Sequence, residues 1–251
     1  MHVVELWRHP VKSLRGEALD EAVIEDNGLA GDRRWGIVDR DTGMVLTARR
    51  VPPLLLASAR LAGDGVEITL PDGEVLGAPS PQTDAALSTW IGRPVNVVHA
   101  DAIDRGVGEY FADATDDTSP AISWTMPQGR FVDALPLLVL TTASLRAGRA
   151  LHPEGVWATR RFRPNIVVDV EGDGFVEDAW CGHPVSIGGT VVQPVVPCER
   201  CTMVTRPQPG LERDLDVFKV LARNHGKNFG VWTAVQTPGV VRVGDEVTLA
   251  G

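Results

Sequence analysis

The chain has 251 residues, 43% apolar and 23% charged, long enough to bury a substantial core as one or two domains. Its 33 acidic and 24 basic residues give a net charge of −9, which argues against nucleic acid as the main partner, because duplex binding needs a broad basic face. No apolar run reaches the roughly 18 residues that span a bilayer. The opening Met1–Trp7 also lacks the layout of a secretion signal, so a cytoplasmic protein with no membrane partner is expected.

The first hundred residues read as a small β-rich domain, residues 1–100. Val3–Arg8, Arg34–Val38, Met44–Thr47, Ser58–Leu61 and Val66–Leu70 are rich in β-branched or apolar residues and bounded by turns. Asp39–Gly43, Ala62–Gly65 and Pro71–Gly73 have hairpin chemistry. Thr83–Ile91 reads as a short helix with Ala86, Leu87, Trp90 and Ile91 apolar, and Arg93–His99 returns to strand. Residues 101–130 are acidic and turn-rich, with Asp113, Asp116, Asp117 and Pro120, and read as a long connecting loop or flap.

A second domain is expected over residues 131–251. Leu135–Leu140 is a continuous apolar run typical of a buried strand, and Thr141 or Thr142 offers an N-cap for a helix to about Ala150. Strands follow at Asn165–Val170, Pro184–Ile187, Thr190–Val195 and Met203–Thr205, then a helix near Leu211–Arg223. Val231–Gln236, Val240–Val243 and Glu246–Leu249 close the chain as strands. Many short strands, few helices and no β–α alternation predict a mainly β protein with a β-barrel core.

Three segments could carry chemistry. Cys198 and Cys201 form a C-x-x-C pair where one apolar strand ends, with Arg200 between them. A redox disulfide usually sits at a helix N-terminus after a strand, unlike this pair. A zinc site would need Cys181 and His183 as further ligands, and two buried thiols without function remain an alternative. With three cysteines in all, neither a disulfide framework nor a four-cysteine iron–sulfur cluster is supported. Arg161 and Arg163, before a strand, would share one face of an extended chain and could grip phosphate or a ring carbonyl, unless nearby acids saturate them. Lys12 and Ser13 lie together in a turn without a P-loop frame and could hold a phosphate monoester.

Six stretches in order resemble the MOSC family, named for the C-terminal domain of molybdenum cofactor sulfurases. They are Pro10–Ser13, Gly31–Trp35, Leu46–Arg49, Arg161–Asn165, Cys198–Thr202 and Pro238–Asp245. They look most like the branch with an N-terminal MOSC β-barrel domain that includes the mitochondrial amidoxime-reducing component. The resemblance implies a molybdenum cofactor (Mo-molybdopterin) with Cys201 as metal ligand and Lys12, Ser13, Arg33, Arg163 and Asn165 as cofactor-binding residues. Asp133, with Cys201, is implied as catalytic. Relatives place hydroxyl residues after that aspartate where this chain has Ala134 and Leu135, so main-chain N–H groups or Thr142 are expected to compensate. The implied activity is an oxidoreductase that reduces N-hydroxylated or related N–O and S–O small molecules. Electrons would come from a separate donor protein, because no counterpart of the iron–sulfur domain of some bacterial relatives is recognised. The alternative is a non-catalytic carrier of the cofactor or of sulfur.

Overall fold

The computed structural model describes residues 1–113, 116 and 118–249, so Asp117 lies outside the described residues. The protein is mainly β. Eight strands form one sheet in the order Val247–Leu249, Val185–Ile187, Thr190–Glu199, Asn228–Thr237, Leu137–Thr141, Ile166–Asp169, His2–Arg8, Glu17–Leu19. Its two sides come back together: His2 bridges Glu246, and the amide of Val3 donates to Asp245 O at 2.9 Å. The sheet thus curls around a core of Val3, Leu6, Leu137, Val139, Ile166, Val185, Val192 and Val231. Glu21–Glu25 pairs with Gly239–Arg242 and adds Ala22 and Ile24 to that core.

One stretch departs from the expected lack of β–α alternation. Leu137–Thr141 and Ile166–Asp169 run parallel, connected through the helix Thr142–Leu151. The Thr141 side chain caps that helix by accepting from the Ser144 amide at 3.1 Å. The second long helix, Leu215–Asn224, starts later than its apolar pattern suggests because Asp214 accepts from the amides of Asp216 and Val217 and fixes the N-terminus there. Its Val217, Phe218 and Leu221 pack on Trp157, Phe162 and Phe229.

The smaller N-terminal core gathers Val11, Leu14, Trp35, Ile37, Leu54 and Ile68 between short sheets and the helix Pro81–Ile91. Met44–Thr47, expected as a strand, carries only two isolated bridges, from Val45 to Val38 and from Val45 to Gly108. The stretch 101–130 is not a plain loop. It contains a hairpin, Val107–Phe111 against Ala121–Thr125, in which Tyr110 faces Ile122 and Gly108 faces Trp124. Phe131 closes this region against two glycines: a Cβ on Gly106 would fall 2.7 Å from its ring and one on Gly36 3.1 Å.

Candidate functional site

A cleft between the N-terminal core and the large sheet is lined by Lys12, Ser13, Arg33, Arg49, Asp133, Arg163, Cys198, Arg200 and Cys201. Several of these residues arrive on unusual backbone. Among the described residues, four non-glycines adopt left-handed φ: Ser13 (70°), Arg33 (51°), Arg163 (56°) and Lys227. Three of the four line the cleft. Each such conformation costs roughly 1–3 kcal/mol and persists only where the surroundings enforce it, as they do at ligand sites.

The enforcement is visible locally. The turn after His2–Arg8 is held by the Lys12 amide on Trp35 O (2.8 Å) and the Arg15 amide on Ala57 O (3.1 Å). Ser13 Oγ accepts from the Ala48 amide at 2.9 Å, so its hydroxyl proton remains for another acceptor. The Arg33 guanidinium is clamped by Asp32, whose other oxygen accepts from the His9 amide at 2.7 Å. Arg163 follows the helical turn Thr159–Phe162 and precedes Pro164, which disfavours continued helix, so the chain leaves through the left-handed region. This reversal separates the two arginines expected to act together. Arg161 is buried on the carbonyls of Val156, Val204, Arg206 and Glu212, away from the cleft. Arg163 alone enters it, donating to Leu14 O at 2.6 Å.

The two cysteines have different partners. Cys198 lies one residue before the end of the strand Thr190–Glu199, and its sulfur accepts from Arg200 Nη1 at 3.0 Å. Burial pushes the Cys198 thiol up, against the pull of that guanidinium. Cys201 sits at the start of the short helical turn Thr202–Thr205, which replaces the strand expected at Met203–Thr205. Its sulfur accepts from Arg49 Nε at 3.2 Å. The cation at Cys201 is therefore Arg49, from 152 residues upstream, and not the adjacent Arg200.

Asp133 ties these groups together. Its Oδ1 accepts from Lys12 Nζ at 2.6 Å and from the Tyr110 hydroxyl at 2.8 Å, while Oδ2 accepts from Arg49 at 3.1 Å. Burial would raise its pKa, but Lys12 and Arg49 hold the carboxyl well below the usual range. The Tyr110 phenol is pushed up by burial and by Asp133, and so stays a hydrogen-bond donor. Burial lowers Lys12, resisted by Asp133, and burial with the neighbouring Arg33 pushes Arg163 down to about 9. The buried His9 imidazole is held well below its ordinary range by burial, Arg163 and Arg33, and contributes no charge.

Five cations (Lys12, Arg33, Arg49, Arg163, Arg200) line the cleft with two carboxylates, Asp133 and Glu199. Glu199 is bound to Lys227 at 2.8 Å, while Arg163 and Arg200 rest on carbonyl oxygens and a sulfur. An acidic protein thus concentrates positive charge around the Cys201 sulfur at the cleft wall, the electrostatics of a site for a multiply charged anion.

Residues 1–114 match the family described as the MOSC N-terminal beta barrel domain, and residues 127–248 match the MOSC domain. The chain belongs to the MOSC family. It is similar to mitochondrial amidoxime-reducing component 1 of Homo sapiens, 28% identical over 99% of this chain and 83% of that protein. Mitochondrial amidoxime reducing component 2 of Homo sapiens is also 28% identical, over 98% of this chain and 82% of that protein. The molybdenum cofactor sulfurase of Drosophila erecta is 27% identical over 88% of this chain and 30% of that protein.

In this MOSC protein, Lys12, Ser13, Arg33, Asp133, Arg163 and Cys201 come together from both ends of the chain. Asn165 does not line the cleft. Fully buried, it donates to Trp7 O at 3.2 Å and accepts from the Leu138 amide at 3.1 Å and from Arg33 at 3.4 Å, so it supports Arg33 from behind. Thr142 is likewise elsewhere, its hydroxyl on Asp169 at 2.7 Å. Cys181 and His183 stay outside the cleft, and among the described residues no three His, Cys, Asp or Glu side chains cluster as metal ligands. The residues missed were Arg49, Tyr110 and Trp124. Arg49 lay in the Leu46–Arg49 stretch without a role; nothing local marked the aromatic pair.

Proposed function

We propose that the cleft holds a phosphorylated molybdenum–pterin cofactor, with the Cys201 thiolate as the protein ligand to the metal, and that the protein is an oxidoreductase of N-hydroxylated or related N–O and S–O compounds. One observation carries this reading: a soft sulfur and an excess of cations share one cleft. The residues present fit the group. Sulfur is the ligand type that a soft, sulfur-coordinated metal prefers. Lys12, Arg33 and Arg163, with the Ser13 hydroxyl, suit a phosphate and the polar edge of a pterin. The relatives' names, amidoxime-reducing component and molybdenum cofactor sulfurase, support the assignment.

When bound, the cofactor supplies a two-electron redox centre beside Cys201. The protein's own contribution is positional. Arg49 holds the Cys201 sulfur, and Asp133 holds Arg49 and Lys12 in register. Its carboxylate oxygens are occupied by donors and held ionised, so Asp133 acts as a positioning residue rather than as a proton donor. Reducing an amidoxime to the amidine consumes two electrons and two protons and releases water. The three cysteines of residues 1–251 fall short of the four that an iron–sulfur cluster takes, and in this reading a separate donor protein supplies the electrons.

The test uses protein made in a cofactor-competent host. Stoichiometric molybdenum and pterin are expected in the parent protein, with metal lost from Cys201→Ser and largely kept in Cys198→Ser. Equal loss from both refutes the division of roles, and zinc in place of molybdenum refutes the cofactor. Turnover of an amidoxime with an artificial electron donor separates an enzyme from a carrier.

A further inference from the structure

A second opening lies on the other side of Cys201, where the cleft residues Arg49 and Cys201 meet the hairpin side chains Tyr110, Phe111, Ile122 and Trp124. Cross-strand pairing sets Tyr110 opposite Ile122 and Gly108 opposite Trp124, so Tyr110, Ile122 and Trp124 share one face of the hairpin. Ile122 remains 47% exposed and Trp124 48% exposed. Exposed apolar side chains at the rim of a polar site mark a ligand surface more often than a packing defect.

Trp124 is anchored without being covered, and Tyr110 is buried beside it. Trp124 Nε1 donates to Asp133 O at 3.1 Å, and the Tyr110 hydroxyl donates to the carboxylate of the same residue. The Arg49 guanidinium lies 4.2 Å from the Tyr110 ring centroid, and that of Arg50 lies 4.7 Å from the Phe111 ring. Asp133 therefore fixes the wall relative to Arg49, which in turn holds the Cys201 sulfur. The strand carrying Ile122 and Trp124 falls between residues 114 and 127, where the two family matches leave a gap.

We infer that this face is a binding subsite for a flat apolar group, an aryl ring attached to the N–O-bearing head that the Cys201 site receives. The inference rests on the reaction proposed above. An indole anchored by its N–H edge offers its face for offset stacking, and Ile122 extends the apolar floor. A short alkyl substrate reaches the sulfur but touches neither.

The test titrates benzamidoxime and acetamidoxime into the cofactor-loaded full chain by calorimetry with no electron donor present, so nothing turns over. Benzamidoxime is expected to bind about tenfold tighter than acetamidoxime, a stacking-sized preference. Trp124→Ala and Ile122→Ser should reduce that ratio, the former to near unity, and Trp124→Phe should keep most of it. A ratio unmoved by Trp124→Ala overturns the subsite. So does a Trp124→Phe variant as poor as the alanine, because the N–H anchor and not the ring face would then be what matters. Steady-state kinetics distinguish this inference from the reaction beneath it. Trp124-dependent binding without any reduction upholds the subsite and refutes the reaction; reduction with an aryl preference indifferent to Trp124 and Ile122 does the opposite. If Trp124→Ala raises only the KM for the donor protein, the face belongs to that partner and the subsite is overturned.

Discussion

Arg49 performs three tasks with one planar group: Nε reaches the Cys201 sulfur, Nη2 reaches Asp133, and the guanidinium plane covers Tyr110. A lysine keeps the charge but, as a single point donor, cannot hold sulfur and carboxylate at fixed angles or stack on a ring. Charge-assisted bonds contribute roughly 1.5–3 kcal/mol each, so losing one of the two is a large effect. Arg49→Lys is therefore expected to lower kcat/KM for benzamidoxime by about tenfold or more per bound molybdenum; unchanged kinetics at equal metal content would remove Arg49 from its positioning role. Arg163 is argued differently. It is a buried cation resting on one carbonyl, and Arg163→Ala should lower pterin occupancy while leaving the urea midpoint within the range of ordinary surface variants. Pterin content equal to the parent's would exclude it from the cofactor grip. Local chemistry drew attention to Lys12, Ser13, Arg163 and Cys201, and the family resemblance added Arg33 and Asp133; the cleft brings all six together. Arg49 was not legible in the sequence, because its partners are 84 and 152 residues away. The Arg161–Arg163 pair misled for a local reason: shared orientation presumes extended chain, and the backbone turns at Arg163.

At the scale of elements, strands with β-branched runs and flanking turns were readable, and so was the helix capped by Thr141. The hairpin inside residues 101–130 was not. Its second strand, Ala121–Thr125, is exposed along its whole length and lacks the half-buried alternation by which a strand is recognised. Met203–Thr205 has strand-like composition, yet Thr205 Oγ1 donates to Thr202 O at 2.7 Å and closes a helical turn instead. The junction around Thr141 carries its own prediction. Glu177, fully buried, accepts from the hydroxyls of Thr141 (2.6 Å) and Ser144 (2.7 Å) through Oε2, while Oε1 finds no hydrogen-bond partner among the described residues. Burial raises its pKa, with the two hydroxyls pulling the other way. The folded state thus keeps the proton to higher pH than the unfolded chain, and stability contributed below about pH 4.5 is lost as pH rises through the folded value. Glu177→Gln keeps the acceptor and removes the charge. Its melting temperature should exceed the parent's by an amount that grows from pH 5 to pH 8, reaching roughly 2–4 °C for 1 kcal/mol. A gap independent of pH would show that the Glu177 carboxyl titrates in the folded protein as it does in the unfolded chain.

On the scale of the whole molecule, the two family matches divide the chain more cleanly than its packing does. The first strand, His2–Arg8, lies inside the large sheet against Ile166–Asp169, and Glu21–Glu25 pairs with Gly239–Arg242 near the other end. Composition could not reveal this, because strand pairing between distant segments leaves no local trace. The site inherits the arrangement: Lys12 and Arg33 come from one match, Asp133, Arg163 and Cys201 from the other, and Arg33 donates to the Arg163 carbonyl across the join at 3.3 Å. Residues 127–251 alone would lose Val3, Leu6, Ile24 and Leu29 from the sheet core. Each such side chain contributes roughly 1.5–3 kcal/mol on burial, and the total rivals the whole stability of about 5–15 kcal/mol expected of a domain. The exposed edge of Ile166–Asp169 would add an unpaired ladder. The fragment is therefore expected to show no cooperative urea transition by circular dichroism, and co-expression with residues 1–126 should restore both the transition and pterin binding. A lone fragment that melts cooperatively would mean that the first strand only decorates a sheet already stable without it, and that the left-handed residues on the two sides of the cleft are enforced independently.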